Sequence, residues 1–140
     1  MKILVPVDGS QASTLALKHA HELARRMAKP ATLVVLAVDD SLFPGVERRI
    51  GADAANKLHE ENFARMLAPA RKALARGKVA HRYVEVVGDV AESILGIATK
   101  EKPGLLVMGS RGNGAIKGTL VGSVSLKVLN HATVPVTIVR

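Results

Sequence analysis

The sequence predicts an α/β protein with an open parallel sheet of five strands in the order 3-2-1-4-5 and helices on both faces. Short apolar, β-branched runs alternate with stretches of helical period along the whole chain, giving β-α-β-α-β-α-β-α-β. One run, 31–38, is almost continuously apolar, the pattern of a strand buried on both faces. Strict alternation requires right-handed crossovers between parallel strands. In such sheets ligands sit beyond the carboxyl ends of the strands, where the strand order reverses. The order 3-2-1-4-5 makes strands one and four neighbours at that point.

Residues 2–7 form the first apolar run, and the period changes after Asp8-Gly9-Ser10. Ala12, Ala16, Ala20, Leu23 and Met27 then recur at three- and four-residue spacing, a small-residue helix face suited to lying close on a sheet. Ser10 suits its N-cap. After the second strand, Pro44-Gly45 punctuates a loop at 39–45, in which Asp39 and Asp40 read as surface residues or as helpers for a bound metal. A long helix follows over about 46–76, with an inner stripe of Ile50, Ala54, Leu58, Phe63, Leu67, Ala70 and Leu74, closed by Gly77. The third strand, 81–87, carries Arg82 and Glu85 in alternation and suits a sheet edge. Asp89 and Glu92 have capping-box spacing ahead of a helix to about residue 100, with Ala91, Ile94, Leu95 and Ala98 inward. Strand four at 105–108, a glycine-rich stretch, a helix at about 121–130 and strand five at 134–139 complete the chain.

At 140 residues the chain suits one domain, 1–140, that buries its own core. It has no cysteine, which excludes thiolate catalysis, disulfides and zinc ribbons. The first residues are apolar only until Pro6 and Asp8 and resemble neither a signal peptide nor a spanning helix, so the expectation is a soluble cytoplasmic protein with no membrane partner. The net charge of +8 raises the question of nucleic acid. Basic and acidic residues are interspersed, however, and Phe43, Phe63 and Tyr83 are the whole aromatic supply, too few for stacking platforms. The charge reads as a solvated surface that attracts small anions, not as a nucleic-acid site.

Residues 108–125 hold five glycines directly behind strand four. A Walker A loop fails because Ala115 stands where its lysine belongs, and a Rossmann fingerprint fails because the glycines come late in the chain. What remains is Gly109-x-x-Gly112, nine residues, then Gly122-Ser123. Glycines at a strand exit let main-chain amides turn toward an anion, and Gly122-Ser123 opens a helix whose first amides are unpaired. Ser123 and Ser125 add hydroxyl donors. A flexible loop is the competing reading.

Gly109-Ser110-Arg111-Gly112 with Gly122-Ser123 matches the G-x2-G-x9-G-[ST] motif, and the chain thereby resembles the nucleotide-binding branch of the universal stress protein family. Val5-Pro6-Val7-Asp8-Gly9-Ser10, Gly88-Asp89, Leu106-Val107-Met108-Gly109 and His131-Ala132-Thr133-Val134-Pro135-Val136 extend the resemblance over the whole chain. It implies a Rossmann-like fold of the adenine nucleotide alpha hydrolase type and a homodimer that binds an adenine nucleotide. Gly109, Ser110, Arg111, Gly112, Asn113, Gly114 and Ala115, with Gly122, Ser123, Val124 and Ser125, would wrap ribose and phosphates. Pro6, Val7 and Asp8 would line the nucleoside side, and the backbone of Val38 would read the adenine edge. Asp8 has a second reading as the cap of the first helix. Gly104 departs from the family, whose members often carry Asp there.

The expected function is a regulatory, stress-response module that holds ATP, or ADP or AMP, with Mg²⁺ or Mn²⁺ on the phosphates. It would act through its binding state and through dimer or partner contacts. No Walker lysine and no placed general base support fast chemistry. His19 and His21 do not share a helix face, and His59-Glu60-Glu61 is not a zinc-protease motif. The rivals are a slow ATPase or autophosphorylating enzyme, and a nucleotide-free chaperone-like or nucleic-acid-associated basic protein. Residues 134–139, an apolar strand at the sheet edge, are the expected dimer contact.

Overall fold

The computed structural model describes residues 1–112 and 121–140. Along them run β1 (Lys2–Val7), α1 (Gln11–Arg26), β2 (Thr32–Asp39), α2 (Val46–Ile50), α3 (Ala52–Leu74), β3 (Ala80–Val87), α4 (Val90–Glu101), β4 (Leu105–Gly109), α5 (Ser123–His131) and β5 (Val136–Val139). The strands form one sheet in the order β3-β2-β1-β4-β5, the predicted order. All four pairings are parallel, with Val5 opposite Val35, Leu4 opposite Leu106 and Leu106 opposite Val136.

Alternation along the strands sorts the core into two layers. Ile3, Val5, Val7, Leu33, Val35 and Ala37 point to one face, where α1 lays down Ala16, Leu17 and Ala20 and α3 lays down Phe63, Leu67 and Ala70. Leu4, Val34, Leu36 and Val38 point to the other, under Ala91, Ile94 and Ala98 of α4 and Val128 of α5. Both faces of β1 and β2 are therefore covered, which explains their unbroken apolar runs. β3 is an edge strand, as its polar alternation predicts.

The helix expected over 46–76 is two helices. Gly51 adopts φ 86° and ψ 157°, donates its amide to Glu47 O at 2.8 Å and accepts from Ala55 N at 3.0 Å, so it ends α2 and starts α3. A left-handed φ of this kind favours glycine, and it resets the helical phase. The predicted stripe fails at its start for that reason. Ile50 and Leu58 are 40% and 42% exposed and Ala54 is exposed, while Ala55, Phe63, Met66 and Leu67 are buried.

Two boundaries also move inward. α5 starts at Ser123 and β5 at Val136. Pro135 has no amide to give to a ladder, although its carbonyl accepts from Leu106 N at 2.9 Å. Asp89 caps α4 by accepting from Glu92 N at 2.9 Å, whereas the Glu92 carboxylate faces Lys127 at 3.4 Å instead of turning back to complete a capping box. Gly104, the departure from the family pattern, keeps the start of β4 in place by donating to Lys2 O at 3.0 Å. At this amino end of the sheet Glu101 meets Arg82 at 2.6 Å and Lys2 at 2.9 Å, tying α4 to β3 and β1. These two cations hold its carboxyl at a pKa of about 2. Among the described residues no helix is long and apolar enough to cross a membrane.

Candidate nucleotide site

Strands β1 and β4 lie side by side, so the turn after β1 and the segment after β4 meet beyond the carboxyl edge of the sheet. The β1–α1 turn is built from its own side chains. Asp8 Oδ1 accepts from Ser10 N at 2.9 Å, and Ser10 Oγ accepts from Ser13 N at 3.2 Å. Ser10 is thus the cap of α1, and Asp8 shapes the turn that leads into it. Gly9 between them has φ 81°, a conformation that L side chains rarely adopt.

A cleft of about 350 Å³ opens at this edge. Of the residues predicted for a site, it gathers Pro6, Val7 and Asp8 from the first turn, Val38 from β2, and Gly109, Arg111, Gly112, Gly122, Ser123, Val124 and Ser125 from β4 and its sequel. Its volume falls in the usual range for small-molecule sites. The walls differ in chemistry. Pro6, Leu36, Val38 and Met108 form an apolar wall with Val90 and Ile94 of α4. The opening of α5 forms the polar one. The first α5 bond runs from Leu126 N to Gly122 O at 2.9 Å, so helix geometry leaves the Ser123, Val124 and Ser125 amides without intrahelical acceptors. β1 ends at Val7, opposite Ala37, so the carbonyl of Val38 lies past the end of that ladder.

One described residue of the predicted set, Ser110, does not line the cleft. Ser110 is buried and serves the backbone: its amide donates to Val139 O at 2.8 Å and its carbonyl accepts from Gly122 N at 2.7 Å. Asn113, Gly114 and Ala115 lie outside the described residues, as do Lys117 and Gly118 of the same stretch. The serine hydroxyls also differ from expectation. Ser125 Oγ donates to Gly109 O at 2.9 Å inside the protein, which leaves the exposed Ser123 hydroxyl as the donor on this helix opening.

The motif glycines have separate steric reasons. A Cβ on Gly109 would lie 2.8–2.9 Å from the backbone and Cβ of Ala12, so Gly109, itself part of β4, admits the start of α1 against the sheet. On Gly112 it would lie 2.5 Å from Asp8 Oδ2, so this glycine lets the β4 exit close on the Asp8 carboxylate. On Gly122 it would meet only Ser110 O at 3.5 Å and Arg111 Cα at 3.6 Å, ordinary contacts.

Sequence reasoning missed the contribution of α3, which supplies Arg65 and Met66 to the cleft. It also misplaced Asp39. That residue is no loop surface group: it ends β2, is 8% exposed, and its Oδ2 meets His59 Nδ1 at 2.6 Å and Asn62 Nδ2 at 2.9 Å. Leu36 and Met108 were legible from strand alternation, being the positions that share a face with Val38. Asp8, Asp39 and Asp40 all line the cleft, but no three acidic or histidine side chains among the described residues gather as a metal-binding group.

Comparison with known proteins agrees with this architecture. The chain is 32% identical over 146 residues to the universal stress protein YxiE of Bacillus subtilis, covering 99% of this chain and 98% of that one. It is 31% identical to the universal stress protein MJ0577 of Methanocaldococcus jannaschii. The solved structure of MJ0577 superposes with a TM-score of 0.84, covering 99% of this chain and 94% of that one. A universal stress protein solved in complex with cAMP has a TM-score of 0.73 at 26% identity, covering 100% of this chain and 97% of that one. A model of the universal stress protein family matches residues 1–140, and the chain belongs to that family.

Proposed function

We propose that this protein is a cytoplasmic adenine-nucleotide-binding universal stress protein, one domain over 1–140, which holds ATP in the cleft at the ends of β1, β2 and β4. The observation that carries the reading is the division of that cleft into an apolar wall and a wall of helix-opening amides. The base lies against Pro6, Val38 and Met108, and the Val38 carbonyl accepts from its exocyclic amine. The phosphates lie over the amides of Ser123, Val124 and Ser125, where the helix dipole favours anions. Gly109, Arg111, Gly112 and Gly122, with Ser110, Asn113, Gly114 and Ala115 of the same motif, complete the cradle. Mg²⁺ or Mn²⁺ arrives on the phosphates. The complex of a related protein with cAMP supports an adenine ligand. Output comes from binding state, in a homodimer joined through β5, the edge strand on the α5 side of the sheet.

Calorimetric titration with ATP and Mg²⁺ tests the site on the wild type and on Gly122→Val. The fold accepts a Cβ at Gly122, and valine then fills cleft space, so binding should be lost while the melting temperature holds. Equal affinity in the two proteins removes the assignment. Sedimentation as a monomer at micromolar concentration removes the dimer.

A further inference from the structure

We propose that Arg65 of α3, held by Asn62 and through it by Asp39, reads the length of the phosphate chain and makes ATP a tighter ligand than AMP. The inference rests on the nucleotide reading of the cleft and names a residue that determines its specificity. Arg65 lines that cleft, and among the described residues it shares with Arg111 the role of cation there. The two come from different elements, Arg111 from the β4 exit and Arg65 from a helix on the opposite face. The backbone of α3 at this point is pressed onto the first turn: a Cβ on Gly9 would lie 3.4 Å from Arg65 O and 3.4 Å from Met66 Cα. Arg65 is therefore rooted beside the turn that carries Asp8. A triphosphate reaches further from the base than a monophosphate, and a second cation on the cleft lining can meet its outer phosphates.

The tether has a fixed polarity. Asn62 Nδ2 donates to Asp39 Oδ2, at 2.9 Å. Asn62 Oδ1 is thereby left to accept from Arg65 Nη2, at 3.0 Å. His59 Nδ1 meets the same Asp39 oxygen at 2.6 Å and helps to hold it in place. Arg65 is exposed, so without this chain its long side chain would sample many rotamers. Asn62 and Asp39 are positioning residues, and the guanidinium fork supplies charge-assisted bonds to phosphate oxygens.

The test is calorimetric titration with ATP and with AMP, both with Mg²⁺, on the wild type, Arg65→Gln, Arg65→Lys and Asn62→Ala. Arg65→Gln should lower the preference for ATP over AMP by about tenfold, the loss of one charge-assisted contact. Asn62→Ala should lower it by about threefold, because the cation remains but is no longer held. Arg65→Lys should restore part of the preference, and high salt should narrow the gap between wild type and Arg65→Gln. A structural defect would weaken AMP as much as ATP, so an unchanged ratio with both affinities lowered overturns the proposal, as does an Arg65→Gln variant that binds both like wild type. If the wild type binds neither nucleotide, the nucleotide reading itself fails. If it binds ATP and the ratio does not move, only the role of Arg65 fails.

Discussion

Gly109→Ala separates the packing role of the first motif glycine from any role in ligand contact. The new Cβ would stand 2.8 Å from Ala12 C and 2.9 Å from Ala12 Cβ and O. None of these atoms is the end of a flexible side chain. They belong to the first turn of α1, which is anchored by the Ser10 cap. Overpacking of this kind costs about 1–3 kcal/mol. Replacing glycine by alanine also restricts the unfolded chain and returns about 0.4–1 kcal/mol. The net loss is about 1–2 kcal/mol, or a fall of about 3–8 °C in melting temperature for a chain of this length. Gly122→Ala is the control. Its Cβ meets only ordinary contacts at 3.5 and 3.6 Å, and its backbone, at φ −71° and ψ 163°, suits any residue. It should stay within about 0.5 kcal/mol of wild type. Thermal unfolding followed by circular dichroism measures both. A Gly109→Ala protein as stable as wild type, or less perturbed than Gly122→Ala, would refute the steric reasoning.

Three further outcomes follow from named contacts. The Glu101 carboxyl is lowered from 4.5 to about 2 by Arg82 and Lys2, so its stabilisation is complete above pH 4.5 and disappears as pH falls toward 2. Glu101→Gln should lose about 1 kcal/mol at neutral pH, since the partners are half exposed, and should show a flatter stability profile over that acid window in denaturant titrations. Ser125→Ala deletes a buried hydroxyl that donates to Gly109 O and should cost about 1–2 kcal/mol by the same method, whereas Ser123→Ala at the exposed neighbouring position should cost less than half of that. Ser10→Ala removes the α1 cap and should lower stability by about 1 kcal/mol, read from the urea midpoint at unchanged slope.

The parts of the fold that were legible in the sequence are those fixed by local chemistry. β2 reads as a strand because both of its faces are covered and positions 33–38 are all apolar. α1 reads as a helix because its cap and its small-residue face are both local. The division at Gly51 was hidden, since glycine permits a positive φ without demanding one and the flanking residues are good helix formers on either side. Asp39 was hidden for a different reason. An aspartate after an apolar run looks like loop, and only side chains 20 and 23 residues further on, His59 and Asn62, make its burial tolerable. The α3 wall of the cleft had no local signal at all. Arg65 and Met66 reach the site only because α3 crosses back over the first turn, a consequence of topology.

The spacing in the motif has a mechanical meaning that its glycines alone do not convey. The Ser110 carbonyl accepts from Gly122 N at 2.7 Å, and the Ser110 amide donates to Val139 O at 2.8 Å. The segment that leaves β4 is thus fastened to the residue that caps α5, and both are fastened to the end of β5. Ser125 adds a second tie, from the first turn of α5 back to Gly109 O at 2.9 Å. These bonds fix the opening of α5 over the end of β4. The helix amides are consequently pre-organised by the sheet, and a ligand need not supply the free energy to bring them there. On this basis Ser110 shapes the cleft through its backbone, by holding the α5 opening to the ends of β4 and β5.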